Sequence, residues 1–132
     1  KKDISIQADF EEEDVFVYAD RDSMERVIYN LIHNAVKFTG DEGKIKVSVW
    51  TEKDKAYMSV EDNGTGIPED EIDLIWERFH KSDKSRGKDR DGTGLGLAIV
   101  KNIIREHGQS IWVESQADKG TKFTFTLDRV KS

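Results

Sequence analysis

The sequence predicts an α/β domain of two layers, in which a mixed, mostly antiparallel sheet is covered on one face by three helices. Four segments alternate apolar and polar residues with a period of two, which is typical of strands that are buried on one face only. Other segments space their apolar residues as a helix does, and these would supply the covering layer. A doubly wound parallel sheet would instead have continuous apolar strands, because helices cover both of its faces, so the alternation argues against that architecture.

Length and composition limit the classes of partner. The 132 residues suffice for a single domain, residues 1–132, that buries a core without disulfides or a structural metal. A formal net charge of −6 would repel nucleic acid and anionic membrane surfaces, so we expect neither a nucleic-acid partner nor direct membrane contact. The absence of cysteine is compatible with a reducing compartment, and we expect a cytoplasmic domain whether or not its parent protein is anchored in a membrane.

The strands follow from the alternation. The apolar positions of the four clear strands are Ile45, Val47 and Val49; Ala56, Met58 and Val60; Ile111 and Val113; and Phe123, Phe125 and Leu127. Two weaker segments add a fifth strand around Val15, Val17 and Ala19 and a short edge piece at Ile4 and Ile6. The polar residues between these positions would leave the other face of the sheet in water.

Three helices are predicted to cover the apolar face. The second begins at Pro68, which suits the first position of a helix and precedes three acidic residues, and ends near Glu77 or Phe79. The third begins near Gly94 and ends at His107, with Gly108 as a left-handed cap. The first runs from about residue 22 to 38, with apolar residues at Met24, Val27, Ile28, Leu31, Ile32 and Ala35.

The segment between the second and third helices is predicted to be a mobile lid at about residues 80–93. It has no large apolar residue and mixes basic with acidic side chains, so nothing in it would anchor it in a core. A long structureless segment inside a small domain is either disordered or a lid over a functional site. Its position beside a glycine-rich loop favours the lid.

A polar stripe on the first helix is the first candidate site. Asn30, Asn34 and Lys37 follow one another at i, i+4 and i+7, on the shoulder of the apolar face. A random pair of helical asparagines is usually an ordinary surface pair. Asparagine is, however, a mediocre helix former, and two of them beside a lysine favour a site in which amide oxygens hold a hydrated Mg²⁺ and the lysine meets phosphate.

Asp62 follows a predicted strand and precedes Gly64 and Gly66, which by itself is typical of a turn. In a nucleotide pocket the same carboxylate can accept a hydrogen bond from an exocyclic amine, and so distinguish adenine. Phe38 and Ile67 would then pack against the plane of the base, although both are equally suited to the core. The turn and the base pocket are therefore both open interpretations of this segment.

Residues 92–97 (GTGLGL) form a second glycine loop, at the predicted start of the third helix. Glycine lets backbone N–H groups approach an anion, and the start of a helix adds its positive end, so this loop suits phosphate. Neither the P-loop pattern, which needs Gly-Lys followed by Ser or Thr, nor the dinucleotide pattern is present. Two glycine loops behind an amide-bearing helix favour one nucleotide site built from three segments.

Four segments resemble, in this order, the N, G1, F and G2 boxes of the catalytic domain of bacterial sensor histidine kinases, which has the Bergerat ATP-binding fold. They are residues 30–38 (NLIHNAVKF), 62–67 (DNGTGI), 77–79 (ERF) and 92–100 (GTGLGLAIV). Gly120 and Thr121 resemble the start of that family's closing strand. The resemblance covers nearly the whole chain and implies the same two-layer sandwich as the alternation.

The resemblance implies a role for each candidate residue in binding ATP and Mg²⁺. Asn34, assisted by Asn30, would hold the metal, Lys37 would meet phosphate, and Asp62 would accept a hydrogen bond from the adenine amine. The residues implied to border the base are Phe38, Gly64, Gly66, Ile67 and Thr121. The residues implied to lie along the phosphates are Gly92, Thr93, Gly94, Leu95 and Gly96, with Lys81 and His80 at the γ-phosphate.

The implied activity is transfer of the γ-phosphoryl group to a histidine, with Asn30 and Lys81 as catalytic residues. Related ATPases carry a water-activating glutamate where this chain has Asn30, and an amide cannot act as a base, so hydrolysis would be slow. None of the three histidines of the chain suits the acceptor role, which the resemblance gives to a separate phosphoacceptor domain of the parent kinase. A response-regulator receiver domain would be phosphorylated next. The alternatives are a serine kinase of the anti-sigma-factor type, a slow ATPase and a nucleotide-gated interaction module.

Overall fold

The computed structural model describes residues 4–11, 15–39, 42–77, 96–116 and 118–130. Within these ranges the chain has the predicted two-layer α/β fold, and none of the described helices is both long and apolar enough to cross a membrane. The strands are β1 (Ser5–Phe10), β2 (Val17–Tyr18), β3 (Lys44–Glu52), β4 (Lys55–Asp62), β5 (Ile111–Gln116) and β6 (Gly120–Arg129). The α-helices are α1 (Arg21–Phe38) and α2 (Gly96–Glu106).

The sheet is mixed and mostly antiparallel, as predicted. Its order is β1-β3-β4-β6, and the edge of β6 that faces away from β4 pairs first with β5 and then with β2. Among the described strands, only β1 runs parallel to its neighbour, which is β3. The predicted edge piece is longer than expected, whereas the predicted fifth strand is reduced to the two residues of β2. At its C-terminal end that strand has no room to extend, because Asp20 already caps the following helix.

Strand register aligns the alternating apolar residues in rows across one face. Val47, Val60, Phe123 and Val113 form one such row through consecutive strand pairs. The adjacent row contains Phe125, which is 1% exposed and lies at the centre of the core. The helices cover this face, and their buried residues complete the core: Met24, Val27, Leu31 and Ala35 from α1, and Val100, Ile103 and Ile104 from α2.

Both ends of α1 are defined by side chains. The Asp20 carboxylate accepts hydrogen bonds from the backbone N–H of Ser23 at 2.9 Å and from its hydroxyl at 2.7 Å, which makes Asp20 the N-cap. Both bonds lower the pKa of the Asp20 carboxyl below its ordinary value, and the bond from the Ser23 hydroxyl has the larger effect. At the other end, Thr39 leaves the helix in extended geometry and its hydroxyl donates back to the carbonyl of Ala35.

The prediction of a second helix from Pro68 is wrong. After Pro68 the chain forms a single 3-10 turn, Glu69–Glu71, and then further turns closed by hydrogen bonds such as Leu74 N–H to the Glu71 carbonyl at 2.9 Å. An isolated helix of ten residues is marginal even with good helix formers, and like charges one turn apart weaken it further. Packing decides the conformation instead. Ile75 is buried in the core, and Trp76 and Phe123 form an edge-to-face pair with ring centroids 5.7 Å apart.

The C-terminus of α2 has the predicted left-handed cap. Gly108 has a φ of +70°, and its N–H donates to the Arg105 carbonyl at 2.9 Å while Gln109 N–H donates to the Ile104 carbonyl at 3.0 Å. This pair of bonds is the Schellman motif. His107, just before the glycine, donates from Nδ1 to the Ile103 carbonyl at 2.8 Å, so its Nε2 is free to accept from Asp20 N–H at 3.1 Å. The end of α2 is thus joined to the start of α1.

The opposite face of the sheet carries the polar residues, as predicted, but its centre is not in water. Ser59 and Thr124 are each 2% exposed. Large neighbours cover these small side chains: Trp112 is the cross-strand partner of Thr124, and Trp50 stacks on Tyr57 with ring centroids 5.4 Å apart. The alternation predicted which residues face away from the helices, but it did not predict that aromatic residues on that face would shield the hydroxyls.

Replacing Gly108 by alanine should lower the free energy of unfolding by about 1 kcal/mol, because a side chain strains the left-handed backbone. No described atom lies within 4 Å of the Cβ that alanine would add, so the loss comes from backbone conformation and not from a clash. Gly108→Asn, which tolerates this conformation better, is the matched control and should lose less. Urea unfolding measures both, and an unchanged midpoint for Gly108→Ala would contradict the cap.

Candidate functional site

Asp62 occupies a core position of the sheet. Because β4 alternates, Asp62 lies on the same face as Val60, and strand pairing sets it in one row with Ile45 on β3 and Thr121 on β6. Its side chain is buried, with 5% exposure for the residue. A carboxylate at a position where the neighbouring rows carry apolar residues is unusual, because burying a charge is costly unless it is matched by partners.

The described part of the chain satisfies the carboxylate of Asp62 only partly. Its Oδ1 accepts a hydrogen bond from Gly64 N–H at 2.8 Å, and a backbone hydrogen bond from Thr121 also stabilises its ionised form. The bond to Gly64, two residues further along the chain, is typical of an aspartate turn. The turn interpretation therefore explains the backbone of this segment. An ionised carboxylate has about four acceptor positions, however, and a turn does not require burial.

Burial raises the pKa of the Asp62 carboxyl above its ordinary 3.8, and the charge of Glu61 adds to this, while the Gly64 and Thr121 hydrogen bonds act in the opposite direction. Since the folded value lies above the unfolded one, the stabilising contribution of Asp62 is present below pH 3.8 and is lost as the pH rises through the folded value. Above that value the fold carries a buried, ionised carboxylate that lowers its stability.

Glycines bring three backbone segments into contact around this carboxylate. A Cβ on Gly64 would lie 2.1 Å from the Phe38 carbonyl oxygen at the end of α1, and one on Gly120 would lie 2.1 Å from the Asp62 carbonyl oxygen. Only glycine permits both approaches. The Phe38 carbonyl also accepts from Thr65 N–H at 3.2 Å, so α1, the loop after β4 and the start of β6 are held together at Asp62.

Two further residues hold this loop, and the sequence analysis did not single out either of them. Asn63 exchanges hydrogen bonds with Lys44, from Lys44 N–H to its Oδ1 at 2.8 Å and from its own N–H to the Lys44 carbonyl at 3.3 Å. Ser115 on β5 accepts from Ile67 N–H at 2.7 Å. A signal for Ser115 was present, because it continues the alternation of Ile111 and Val113 and so had to lie on the core face.

The remaining base-pocket candidates lie around the same point. Gly66 is buried with a φ of +74°, in the left-handed region that glycine favours. Ile67 is 9% exposed and belongs to the core, and Thr121 is buried beside Asp62. Phe38 is half-buried, with the Lys37 ammonium 5.4 Å from its ring centroid. The structure thus brings together the residues that the sequence analysis assigned to the base.

The polar stripe of α1 lies on the helix shoulder, as predicted, and Asn30, Asn34 and Lys37 are all half-buried. Asn30 lies next to the first described residue of α2, because a Cβ on Gly96 would be 3.5 Å from Asn30 Oδ1. The amide-bearing helix and the end of the second glycine loop are therefore adjacent. Within the described ranges, no group of three His, Cys, Asp or Glu side chains is placed to hold a metal ion.

Several predicted site residues lie outside the described residues. They are His80, Lys81, Gly92, Thr93, Gly94 and Leu95, together with the rest of the lid predicted at 80–93. The roles of these residues stay predictions.

Comparison with known proteins agrees with this geometry. The sequence profile of the family described as histidine kinase-, DNA gyrase B- and HSP90-like ATPase matches residues 19–131. The sensor histidine kinase WalK of Bacillus subtilis is 40% identical over 116 residues, which are 86% of this chain and 19% of WalK. The chain thus corresponds to less than a quarter of that relative.

Solved structures give the same result. The nucleotide-free catalytic domain of the histidine kinase ThkA is 35% identical with a TM-score of 0.82, over 97% of this chain and 82% of that one. ThkA in complex with the response regulator protein TrrA is 33% identical with a TM-score of 0.78, over 96% of this chain and 34% of that one. The chain therefore belongs to the histidine kinase-, DNA gyrase B- and HSP90-like ATPase family, and within it to the catalytic domains of sensor histidine kinases.

Proposed function

We propose that this domain binds Mg-ATP and transfers its γ-phosphoryl group to a histidine on the phosphoacceptor domain of its parent sensor kinase. The observation that carries the proposal is the buried carboxylate of Asp62, whose acceptor positions exceed the donors that the described residues supply. An exocyclic amine is the ligand group that matches it, because it donates without carrying a charge of its own. The names of the relatives support the same reaction.

The base is proposed to lie against the loop after β4, beside the end of α1. Asp62 accepts from the adenine amine, Thr121 lies beside it, and Phe38 and Ile67 border the plane of the ring. Gly66 would allow the loop to follow the base closely, since no side chain projects from it, and Gly64 shapes the pocket by letting the loop approach the Phe38 carbonyl. Glycine contacts and strand pairing hold these parts in place.

The phosphates are proposed to lie where α1 meets the start of α2. Asn34 and Asn30 offer neutral oxygens on one helix shoulder, and Lys37 offers a charge on the same stripe. Two amide oxygens suit Mg²⁺, which takes few protein ligands and keeps several waters. When bound, the ion would neutralise phosphate charge. Gly92, Thr93, Gly94, Leu95 and Gly96 would supply backbone N–H groups, and Lys81 and His80 would reach the γ-phosphate.

The polar groups favour transfer over hydrolysis. Phosphoryl transfer passes through a loose transition state, so catalysis rests on position and charge more than on proton removal. Asn30 can orient a group but cannot take a proton from water, which leaves the γ-phosphoryl group available for a better-placed nucleophile. Lys81 would stabilise the negative charge on that group.

We infer the partners from the relatives. The acceptor domain belongs to the rest of the parent protein, since this chain matches only 19% of WalK. ThkA has been solved with a response regulator, and we propose that a receiver domain takes the phosphoryl group from the parent of this chain as well. We further propose that residues 1–132 act as one domain, that residues 80–93 serve as its lid and that it works in the cytoplasm.

Incubation of the chain with the acceptor domain of its parent and labelled ATP should give a label that is acid-labile and base-stable, as expected for phosphohistidine. Asn34→Ala should remove this label, because the metal loses its main protein ligand. Asn102→Ala, at an exposed asparagine of α2, is the matched control and should retain it. Acid-stable label would favour the serine kinase, and ATP binding without any transfer would favour the interaction module.

Asp62→Asn should weaken ADP binding by roughly 1–3 kcal/mol, because an amide directs an N–H group either at the base amine or at a backbone donor. Calorimetry at neutral pH measures the change. Asp73→Asn removes an exposed carboxylate and should leave the affinity unchanged.

The pH dependence separates charge from shape at the same residue. As the pH is lowered through the raised pKa of Asp62, the wild-type affinity for ADP should fall, because the carboxyl becomes protonated. Asp62→Asn should show no such fall over the range in which both proteins stay folded. A wild-type profile as flat as that of the variant would show that Asp62 does not contact the base.

Lys81→Ala should slow phosphotransfer by about 10²-fold and should change the affinity for ADP by less than about threefold. ADP lacks the γ-phosphate, so a residue that acts there contributes little to ADP binding. Lys119→Ala, at an exposed lysine of the β5–β6 turn, is the control. Equal losses in transfer and in ADP affinity would overturn the assignment of Lys81 to the γ-phosphate.

A further inference from the structure

Ser115 lies behind the proposed base pocket, in the same cross-strand row as Asp62 and Thr121. Its hydroxyl oxygen has three partners: Ile67 N–H at 2.7 Å, the Gly120 carbonyl at 2.9 Å and the Thr121 hydroxyl at 2.9 Å. Ser115 is therefore the centre of a small hydrogen-bond network that joins β5, β6 and the loop after β4.

The direction of each hydrogen bond in this network follows from counting protons. A hydroxyl has one proton to donate and two lone pairs to accept with. The Gly120 carbonyl can only accept, so the single proton of Ser115 is directed to it. Ile67 N–H can only donate, and it occupies one lone pair of Ser115. The bond between Ser115 and Thr121 therefore has Thr121 as the donor.

This arrangement determines what Thr121 presents to a ligand. Its one proton is committed to Ser115, so its hydroxyl offers lone pairs only. Asp62, its cross-strand neighbour, already accepts a hydrogen bond from Gly64 N–H and is likewise an acceptor. The two side chains together form a wall that accepts hydrogen bonds and donates none.

We propose that Ser115 is a specificity-determining positioning residue, which orients the Thr121 hydroxyl so that the pocket selects a purine with an amino group at position 6 and rejects one with a carbonyl there. The inference rests on the proposed ATP site and adds to it the origin of base selectivity. A 6-amino group donates to such a wall, whereas a 6-keto oxygen meets only acceptors and is left without a donor. Ser115 acts through Thr121 and does not touch the base.

The test compares ADP with inosine diphosphate, in which a carbonyl replaces the 6-amino group. The wild-type chain should prefer ADP, and Ser115→Ala should reduce the ratio of the two dissociation constants by about five- to tenfold, the scale of one hydrogen bond. Without Ser115 the Thr121 hydroxyl can turn and donate to the 6-keto oxygen. The affinity for ADP should fall while that for inosine diphosphate does not.

Matched variants separate this role from a structural one. Ser115→Thr keeps a hydroxyl at the same place and should restore the wild-type ratio, and Ser59→Ala, at a buried serine on the other face of the sheet, should not alter it. In a Thr121→Val background Ser115→Ala should have no further effect on the ratio, because its action passes through the Thr121 hydroxyl. If Ser115→Ala is poorly folded, Thr121→Val provides the test on its own. It should reduce the ratio of the two dissociation constants by itself, because it removes the hydroxyl through which Ser115 acts.

The outcomes distinguish the two levels of the proposal. If the wild-type chain binds neither nucleotide, the ATP site itself is refuted. If it prefers ADP but Ser115→Ala weakens both nucleotides equally, only the role of Ser115 in selectivity is refuted, because loosening of the loop would act on both alike.

Discussion

A carboxylate in a row of core residues is the constraint on which the rest of this site depends. Asp62 is carried on β4 between two paired strands, so its position is fixed by the sheet and not by the loop that follows it. Burial makes the ionised form costly, and the backbone donors of Gly64 and Thr121 offset only part of that cost. A site of this kind gains when a ligand brings another donor, which ties binding to the chemistry of one base edge. The same burial would weaken any protein that lacked such a ligand, so the residue is hard to explain by stability alone.

The glycines around Asp62 contribute to the site because they have no side chain. Gly64 and Gly120 allow the backbones of three segments to approach to distances that any side chain would prevent. The end of α1 is thereby coupled to the sheet, and α1 is the helix that carries Asn30 and Asn34. Through His107, the start of α1 is in turn held by the end of α2. The proposed base-binding and phosphate-binding parts thus both involve α1.

The sequence pattern predicted an element correctly where the contacts that determine its conformation lie within that element. The alternation of Met58 with Val60 predicted a strand, which in the structure continues to Asp62, and the apolar spacing predicted α1 to within one residue at its start. Pro68 and the acidic residues after it marked a helix start equally well, yet tertiary packing of Ile75 and Trp76 prevailed over that local preference. Register is a non-local property, so no single segment could reveal that Asp62, Thr121 and Ser115 share a row. Their relation appears only when three strands are paired.

Because the proposed site has two parts, affinity for the base and reactivity at the γ-phosphate would depend on different residues. The part around Asp62 is built into the sheet and changes little with what happens at the far end of the nucleotide. The part that faces the γ-phosphate depends on residues beyond this framework, with Asn30 contributing an amide and not a base. If the proposed function holds, a domain arranged in this way retains the base of ADP after transfer and discriminates ATP from ADP chiefly at the phosphates. Selectivity for the base and the rate of transfer are then set by different residues, so that either property can change through substitutions that leave the other intact.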